Sequence, residues 1–534
     1  MLSAQHENPL RHEAGAGRGE VDPGSALNVR RARCSRATLN TLGPTLALIG
    51  LLMSAPAAAE PLRAALARAY AGNPTLNAER ARQRADDEAV PQARALGRPR
   101  AGVTLAPGLS YEQETPSRRE RREAVAEALA AAGSDPTARQ AALLEARRAT
   151  RAQVTSGPGL DIGLTANQTL FNGGLTAASV GSAESGVLAG RETLRGVEQD
   201  VLLAAATAYL DVVQAQANVA LRRANITFLD EVVRQARKRY QEGETALTDQ
   251  AQAESRRARG GADLAQAEAN LVAARAAYRA AIGVEPGGLP SSYASEAPFQ
   301  RTVERRLPAR LEAAIAISQR EHPAIRGAMH GIDVAVFAER IAASALLPSV
   351  TLQGSLTPSL GITGSGETNG SSTGAATGVA LQVPIYDGGA AAAAVRQAKE
   401  RTGQARLELE TARDAVRAEV NQAWGAYQAA GAAVTASGTA VAANEIALAG
   451  VQREQLEGQR TVLEVLNAQA ELLNARTALI QAQRDRSVAT FQLLAAIGRL
   501  SATHIGITRQ EYRPETHYRQ VRDLWGGTRT PDGR

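Results

Sequence analysis

The sequence predicts a mixed α+β membrane protein, internally duplicated. Each protomer offers four β-strands that complete a barrel only by joining other copies, plus long antiparallel coiled-coil helices. Three observations carry this prediction: a repeat at a fixed offset, four segments with two-residue hydrophobic alternation, and proline-free stretches too long for a globular domain.

The composition already sets ordinary globules aside. Only 3% of the 534 residues are aromatic and five are Phe, whereas large cores normally draw on aromatics for buried area. Alanine fills the deficit, which suits long helices whose backbones approach closely. The net charge is +6, with 60 basic and 54 acidic residues interspersed. No basic block with interleaved aromatics points to nucleic acid.

Residues 1–59 read as an export signal with an upstream extension. Arg30, Arg31, Arg33 and Arg36 form a basic region, Leu42 to Met53 contains an apolar one, and Ala57-Ala58-Ala59 before Glu60 is a cleavage site. The about thirty residues before the signal place the true start downstream of Met1. The apolar run is short of the roughly 20 residues a spanning helix needs. Cys34, the single cysteine, falls inside the signal, so a chain beginning at Glu60 has no thiol for disulfides or catalysis. No later segment has 18 consecutive apolar residues, so a membrane would be crossed by strands.

Leu170-Phe171-Asn172-Gly173-Gly174 returns as Ile385-Tyr386-Asp387-Gly388-Gly389, an offset of 215. The same offset maps Glu242-Gly243 onto Glu457-Gly458 and Ala281-Ile282-Gly283 onto Ala496-Ile497-Gly498. Upstream, Asn73-Pro74 matches His322-Pro323 and Pro99 matches Pro348 at an offset of 249. The difference of 34 residues places an insertion in the first copy, within 117–157. It is expected as a solvated, partly ordered loop with some helical character. The chain thus divides into a first repeat 60–283, a linker 284–308, a second repeat 309–500 and a polar tail 501–534.

Leu160 to Thr169 alternates, with Leu160, Ile162, Leu164 and Ala166 on one face and Asp161, Thr165, Asn167 and Thr169 on the other. Val379, Leu381, Val383 and Ile385 repeat this in the second copy. Earlier partners are Ala101, Val103 and Leu105, then Val350, Leu352 and Leu356. A Gly/Ser/Thr-rich loop, Gly361 to Gly378, is expected to join the second pair. Four strands cannot close a transmembrane barrel, and open edges are forbidden in hydrocarbon. Two copies would give eight strands and three would give twelve; the residues alone leave both open.

No proline occurs between Pro158 and Pro286 or between Pro384 and Pro514. Gly174 to Glu242 therefore reads as one helix of roughly 100 Å. Val201, Ala205, Ala208, Val212, Ala215 and Val219 form its coiled-coil seam, repeated at Val416, Val420, Ala423, Tyr427, Ala430 and Val434. The helices turn at Gly243 and Gly458 and return as Ala251 to Ile282 and Val465 to Ile497. Shorter helices near Pro61 to Leu96 and Arg310 to Leu347 precede each strand pair, with Asn73-Pro74 and His322-Pro323 at their starts or bends.

With these features assembled, residues 60 to about 500 resemble the outer-membrane efflux protein (TolC) family. The resemblance rests on the strand–helix junctions at Gly173, Gly174, Gly388 and Gly389, the alanine-rich helices, and the segment Glu457 to Gln469 with its counterpart Gly243 to Ala253. It implies a homotrimer in the outer membrane of a Gram-negative bacterium, in contact with its lipid. A twelve-stranded barrel would continue into a twelve-helix periplasmic tunnel. Partners would be a periplasmic adaptor protein and an inner-membrane ABC or proton-driven transporter, exporting drugs, small molecules or proteins. The turns at Gly243 and Gly458 would form a gated periplasmic tip.

Carried over by the resemblance, Arg460 takes the latch arginine position, Glu464 the first acidic position and Asp249 the first-copy acidic partner. Asn467 stands where the family has a second acidic residue, and Gln455 where it often has tyrosine, which implies a gate set differently. Three copies of Glu464 would still favour cations around a threefold axis. The plain helical reading of Arg460 and Glu464 is an i, i+4 pair of about 0.3 kcal/mol.

No enzyme activity, cofactor or metal is expected. There is no Walker loop, and the six His show no metal-ligand spacing. Gly370-Ser371-Ser372-Thr373-Gly374 has the letters of a nucleophile elbow without its strand-to-helix context. The competing reading is a structural or adhesive periplasmic coiled-coil protein, for which the strand alternation would be superfluous.

Overall fold

Proline and its neighbours set the first breaks in the chain. A computed structural model describes residues 60–290, 293, 296–362, 369–508 and 511–533; the signal and Cys34 lie outside them. Leu62–Gly72 forms α1, Pro74–Asp87 α2 and Ala89–Arg94 α3, followed by a short 3₁₀ turn. Asn73 ends α1 and caps α2, its Oδ1 accepting from the Thr75 and Leu76 backbone N–H at 2.9 and 3.2 Å, while Pro74 fills the first helical position. The segment expected as one helix is thus three.

Strand β1 spans Arg100–Glu114 and β2 spans Gln153–Asn172, both longer than the alternation indicated. Between them the expected loop is a helical hairpin, α4 (Arg118–Ala131) and α5 (Pro136–Ala149). Local signals explain the correction. Ser117 and Glu120 form a capping box, with Glu120 N–H donating to Ser117 Oγ at 3.2 Å and Ser117 N–H to Glu120 at 2.7 Å. Asp135 caps α5 ahead of Pro136, and Val125, Leu129 and Leu143 are partly shielded while Ala146 is buried.

After β2, Gly173 and Gly174 adopt φ of 63° and 86°, a region open to glycine. A Cβ on Gly173 would meet the Ser344 carbonyl at 2.9 Å. The chain then runs through α6 (Leu175–Gln241, 67 residues) and returns as α7 (Leu247–Ile282). Next come α8 (Ala297–Glu304), α9 (Leu311–Glu321) and α10 (Pro323–Ser344). His322 caps α10 as Asn73 caps α2, its Nδ1 accepting from Ala324 N–H at 3.2 Å.

Strands β3 (Ser349–Ile362) and β4 (Asn369–Gln382) pair directly, so most of the expected Gly361–Gly378 loop is strand, and 363–368 lie outside the described residues. Pairing with β3 overrides the poor strand propensity of Gly and Ser. At its other end β4 stops at Gln382, so Val383 and Ile385 are not strand; Pro384 cannot donate to a ladder. Asp387 then accepts from Gly389 and Ala391 N–H at 2.9 and 2.6 Å. Helix α11 (Ala390–Leu456) again has 67 residues, and α12 (Val462–Ala496) returns.

The sheet is antiparallel in the order β1-β2-β3-β4. The 3₁₀ turn, α6, α10 and α11 all join the sheet at the end marked by Arg100, Asn172, Ser349 and Gln382. The main core lies where short and long helices meet, with Leu66, Tyr209, Tyr278, Phe491 and Ile497 wholly buried. The seam residues Val201, Ala205, Ala208 and Val212 are buried there, as are Val416 and Val420.

The tail is anchored. Tyr512 N–H donates to the Tyr70 hydroxyl at 2.9 Å. In α13 (Pro514–Val521), His517 Nδ1 lies 2.9 Å from the buried Asp87 carboxylate. The Arg98 guanidinium stacks 4.7 Å over the Trp525 ring.

Candidate channel wall and tip gate

Register decides what each face of the sheet presents. Val103 opposes Leu164 and Leu105 opposes Ile162; Leu164 opposes Leu356; Leu352 opposes Val379 and Val350 opposes Leu381. Because side chains alternate, these residues share one face. Most are bare: Leu105 is 63% exposed, Val379 63% and Leu381 66%, with Ile162 and Val350 half-buried. A contiguous apolar face of this kind fits a hydrocarbon solvent rather than water. The opposite face carries Thr104, Asp161, Thr165, Asn167, Gln353 and Ser355, small and polar, as a wetted wall requires.

About 100 Å away along the helices, the two hairpins end in matched turns. Gly243 and Gly458 have φ of 75° and 76°. Both receive the helix end in the same way, with Gly243 N–H donating to Tyr240 O at 3.0 Å and Gly458 N–H to Gln455 O at 3.1 Å.

Arg460 sits just past the second turn, its Nε donating to Glu454 and its Nη1 to Glu464, each at 2.8 Å. Glu464 has a second task. It occupies the third position of α12 and closes a capping box with Thr461, accepting the Thr461 N–H at 2.8 Å. That backbone N–H, and then Arg460, hold its carboxyl below the usual range. Asp249 is the repeat equivalent of Glu464, but Ala246 stands in place of Thr461 and provides no reciprocal hydroxyl. Among the described residues, no hydrogen bond or ion pair joins Asp249 to Arg460. Gln455 lines a cleft between the hairpins with Phe228, Val232 and Val462.

Asn467 finds a partner that sequence reasoning missed: it accepts from Arg256 Nη2 at 2.9 Å across the two repeats. Gln469 Nε2 donates to Asn225 Oδ1 at 3.1 Å in the same manner. Phe228 packs against two small apolar clusters, one holding Leu229, Ala253 and Leu466, the other Leu448, Val465 and Leu472. Nothing local signals these contacts, which join residues more than 200 positions apart.

An apolar-faced strand wall continuous with very long paired helices defines a membrane-spanning duct protein. The family model for outer membrane efflux proteins matches residues 315–499. The outer membrane efflux protein BepC of Brucella suis biovar 1 (strain 1330) is 36% identical over 488 residues, covering 91% of this chain and 96% of that protein. Among solved structures, the outer membrane protein VceC of Vibrio cholerae aligns with a TM-score of 0.61 at 20% identity, covering 82% of this chain and 96% of that one. The MtrE outer membrane channel of Neisseria gonorrhoeae, in its open state, aligns with a TM-score of 0.60 at 20% identity, covering 83% and 90%.

The chain belongs to the outer membrane efflux protein family. It is an efflux channel of the Gram-negative outer membrane and not an enzyme.

Proposed function

We propose that three copies of this chain close their sheets into one twelve-stranded barrel, with the repeats 60–283 and 309–500 each supplying two strands and a helical hairpin to a tunnel across the periplasm. The observation that carries this reading is the open-edged sheet with its bare apolar face. Strands β1 and β4 are both edges, and their unpaired backbone groups have no partner in lipid unless copies join edge to edge. Because β1 and β4 run in opposite directions, the junction between neighbouring copies is antiparallel, as in transmembrane barrels. The number three follows the family.

The duct serves as the passive exit of a tripartite efflux or type I secretion assembly, with a periplasmic adaptor and an inner-membrane transporter. Its gate is the tip around Gly243 and Gly458, where Arg460, Glu464, Asp249 and Asn467 lie. Expressed protein is expected as a heat-modifiable trimer in outer-membrane fractions that conducts ions in planar bilayers; recovery as a soluble monomer would overturn the reading. The gate is tested separately. Arg460→Ala should raise resting conductance and antibiotic sensitivity, and unchanged values would remove Arg460 from the latch.

A further inference from the structure

The α4–α5 hairpin has no counterpart in the second repeat, where only residues 363–368 separate the described ends of β3 and β4. It stands at the sheet end opposite the helices. Given the proposed topology, on which this inference rests, that end faces outside the cell.

Its charges are unevenly placed. Arg118, Arg119, Arg121 and Arg122 crowd the first turns of α4; Arg147 and Arg148 close α5, and Arg151 follows. The two helices are antiparallel, joined through 132–135, so these turns form one layer at the base of the hairpin, nearest the strands. Arg119 pairs with Glu123, and Arg121 Nε donates to the Pro116 carbonyl at 2.9 Å. Arg118, Arg122, Arg147, Arg148 and Arg151 are exposed and have no ion-pair partner among the described residues. Among the described residues of the same turns, Glu120 is taken up by the α4 capping box and Glu145 has no ion pair.

Helix stability explains only part of this layer: Arg147 and Arg148 suit the C-terminal end of α5, but the α4 arginines do not suit theirs. Cations at a helix N-terminus oppose the macrodipole, and α4 carries four of them. The layer also lies close to the apolar face. A band about 25 Å tall takes up roughly ten tilted strand residues, so one beginning at Ala101 ends near residue 110. The remaining strand to Glu114 rises roughly 10 Å at the same tilt, ~2.5 Å of height per residue. Long arginine side chains can reach back from there into a headgroup layer.

We propose that this arginine layer binds the net-anionic, phosphate-bearing headgroups of outer-leaflet lipids and so fixes the mouth of the barrel to the surrounding membrane. Charge complementarity and height relative to the apolar band both select a lipid-borne phosphate.

The test uses the full-length channel in detergent, with native mass spectrometry after addition of phosphatidylglycerol or phosphatidylcholine. The wild type should retain phosphatidylglycerol preferentially. Combining Arg118→Gln, Arg122→Gln, Arg147→Gln, Arg148→Gln and Arg151→Gln should lower that preference at least about tenfold, since each basic residue near an anionic surface contributes about a fivefold factor. Lysine at the same five positions should restore it. Equal retention of the two lipids, or an unchanged preference in the glutamine variant, would overturn the proposal. So would displacement of the lipid by inorganic phosphate at matched concentration, which would mark a free-anion site. Conductance of the glutamine variant in planar bilayers is read alongside. An intact channel that has lost its lipid preference supports the proposal, whereas a chain that never conducts would bring down the duct reading instead.

Discussion

Arg256 on α7 donates its guanidinium to the amide oxygen of Asn467 on α12 at 2.9 Å, tying the first repeat to the second just behind the tip. Asn467 therefore works as a neutral acceptor inside one protomer, at the position the family resemblance aligns with an acidic residue. Asn467 is exposed and Arg256 half-buried, and the bond between them faces solvent, so the link is individually weak.

Arg256→Ala and Asn467→Ala should each raise resting conductance by up to about fivefold, the scale of a single net hydrogen bond. The double variant should conduct no more than the stronger single one, because both changes remove the same link. Strictly additive increases, read in planar bilayers, would show that the two side chains act independently.

Ile162→Arg places a charge in the middle of the apolar face and should reduce insertion, at about 2–4 kcal/mol near the bilayer midplane. Thr165→Arg, on the opposite face of the same strand, should insert normally and lower conductance by narrowing the bore. Equal amounts of heat-modifiable oligomer for Ile162→Arg and wild type would contradict the assignment of faces.

His322 should make the fold acid-sensitive. Burial, and then the nearby Arg195 charge, lower its pKa from 6.5 to about 4. The unfolded chain thus binds a proton that the folded chain refuses between those values. Stability is fully present above about pH 6.5 and is lost progressively as pH falls towards 4. His322→Asn, which copies the Asn73 cap of the first repeat, should flatten that loss. Thermal dissociation of the oligomer measured from pH 7.5 to 4.5 decides, and identical slopes would remove His322 as the cause.

Gly283 and Gly498 are repeat equivalents with φ of 92° and 79°, yet substitution should separate them. A Cβ on Gly283 meets open space, whereas one on Gly498 lies 2.7 Å from the His322 Cα. Gly283→Ala should lose only the left-handed backbone penalty, about 1–2 kcal/mol. Gly498→Ala must also displace backbone, and should lower the dissociation temperature clearly further. Equal losses would show that the close approach relaxes freely.

The helices and strand faces were legible because their signals are local. Glycine turns and proline-free intervals marked α6 and α11, and the alternation from Leu160 to Leu164 assigned the faces of β2. The first part of strand β4 was hidden because Gly370 to Gly378 lack strand propensity and depend on β3 for pairing, while Val379 and Leu381 were legible. The α4–α5 hairpin was hidden by its polar composition, although Ser117 with Glu120 and Asp135 with Pro136 were readable caps. At the tip, Arg460 with Glu464 was visible as a helical pair. Thr461 with Glu464 was an overlooked capping box, and Arg256 with Asn467 depends on long-range docking that no spacing announces.

Helices α6 and α11 have the same length, 67 residues each. One added or deleted residue in the middle of either would advance its tip by about 1.5 Å and turn every residue beyond it by about 100°, carrying the seam off its neighbours. Evolution of such a chain is thereby steered: length changes are tolerated at the mouth, where the α4–α5 insertion sits, while the staves can lengthen or shorten only together and by whole heptads.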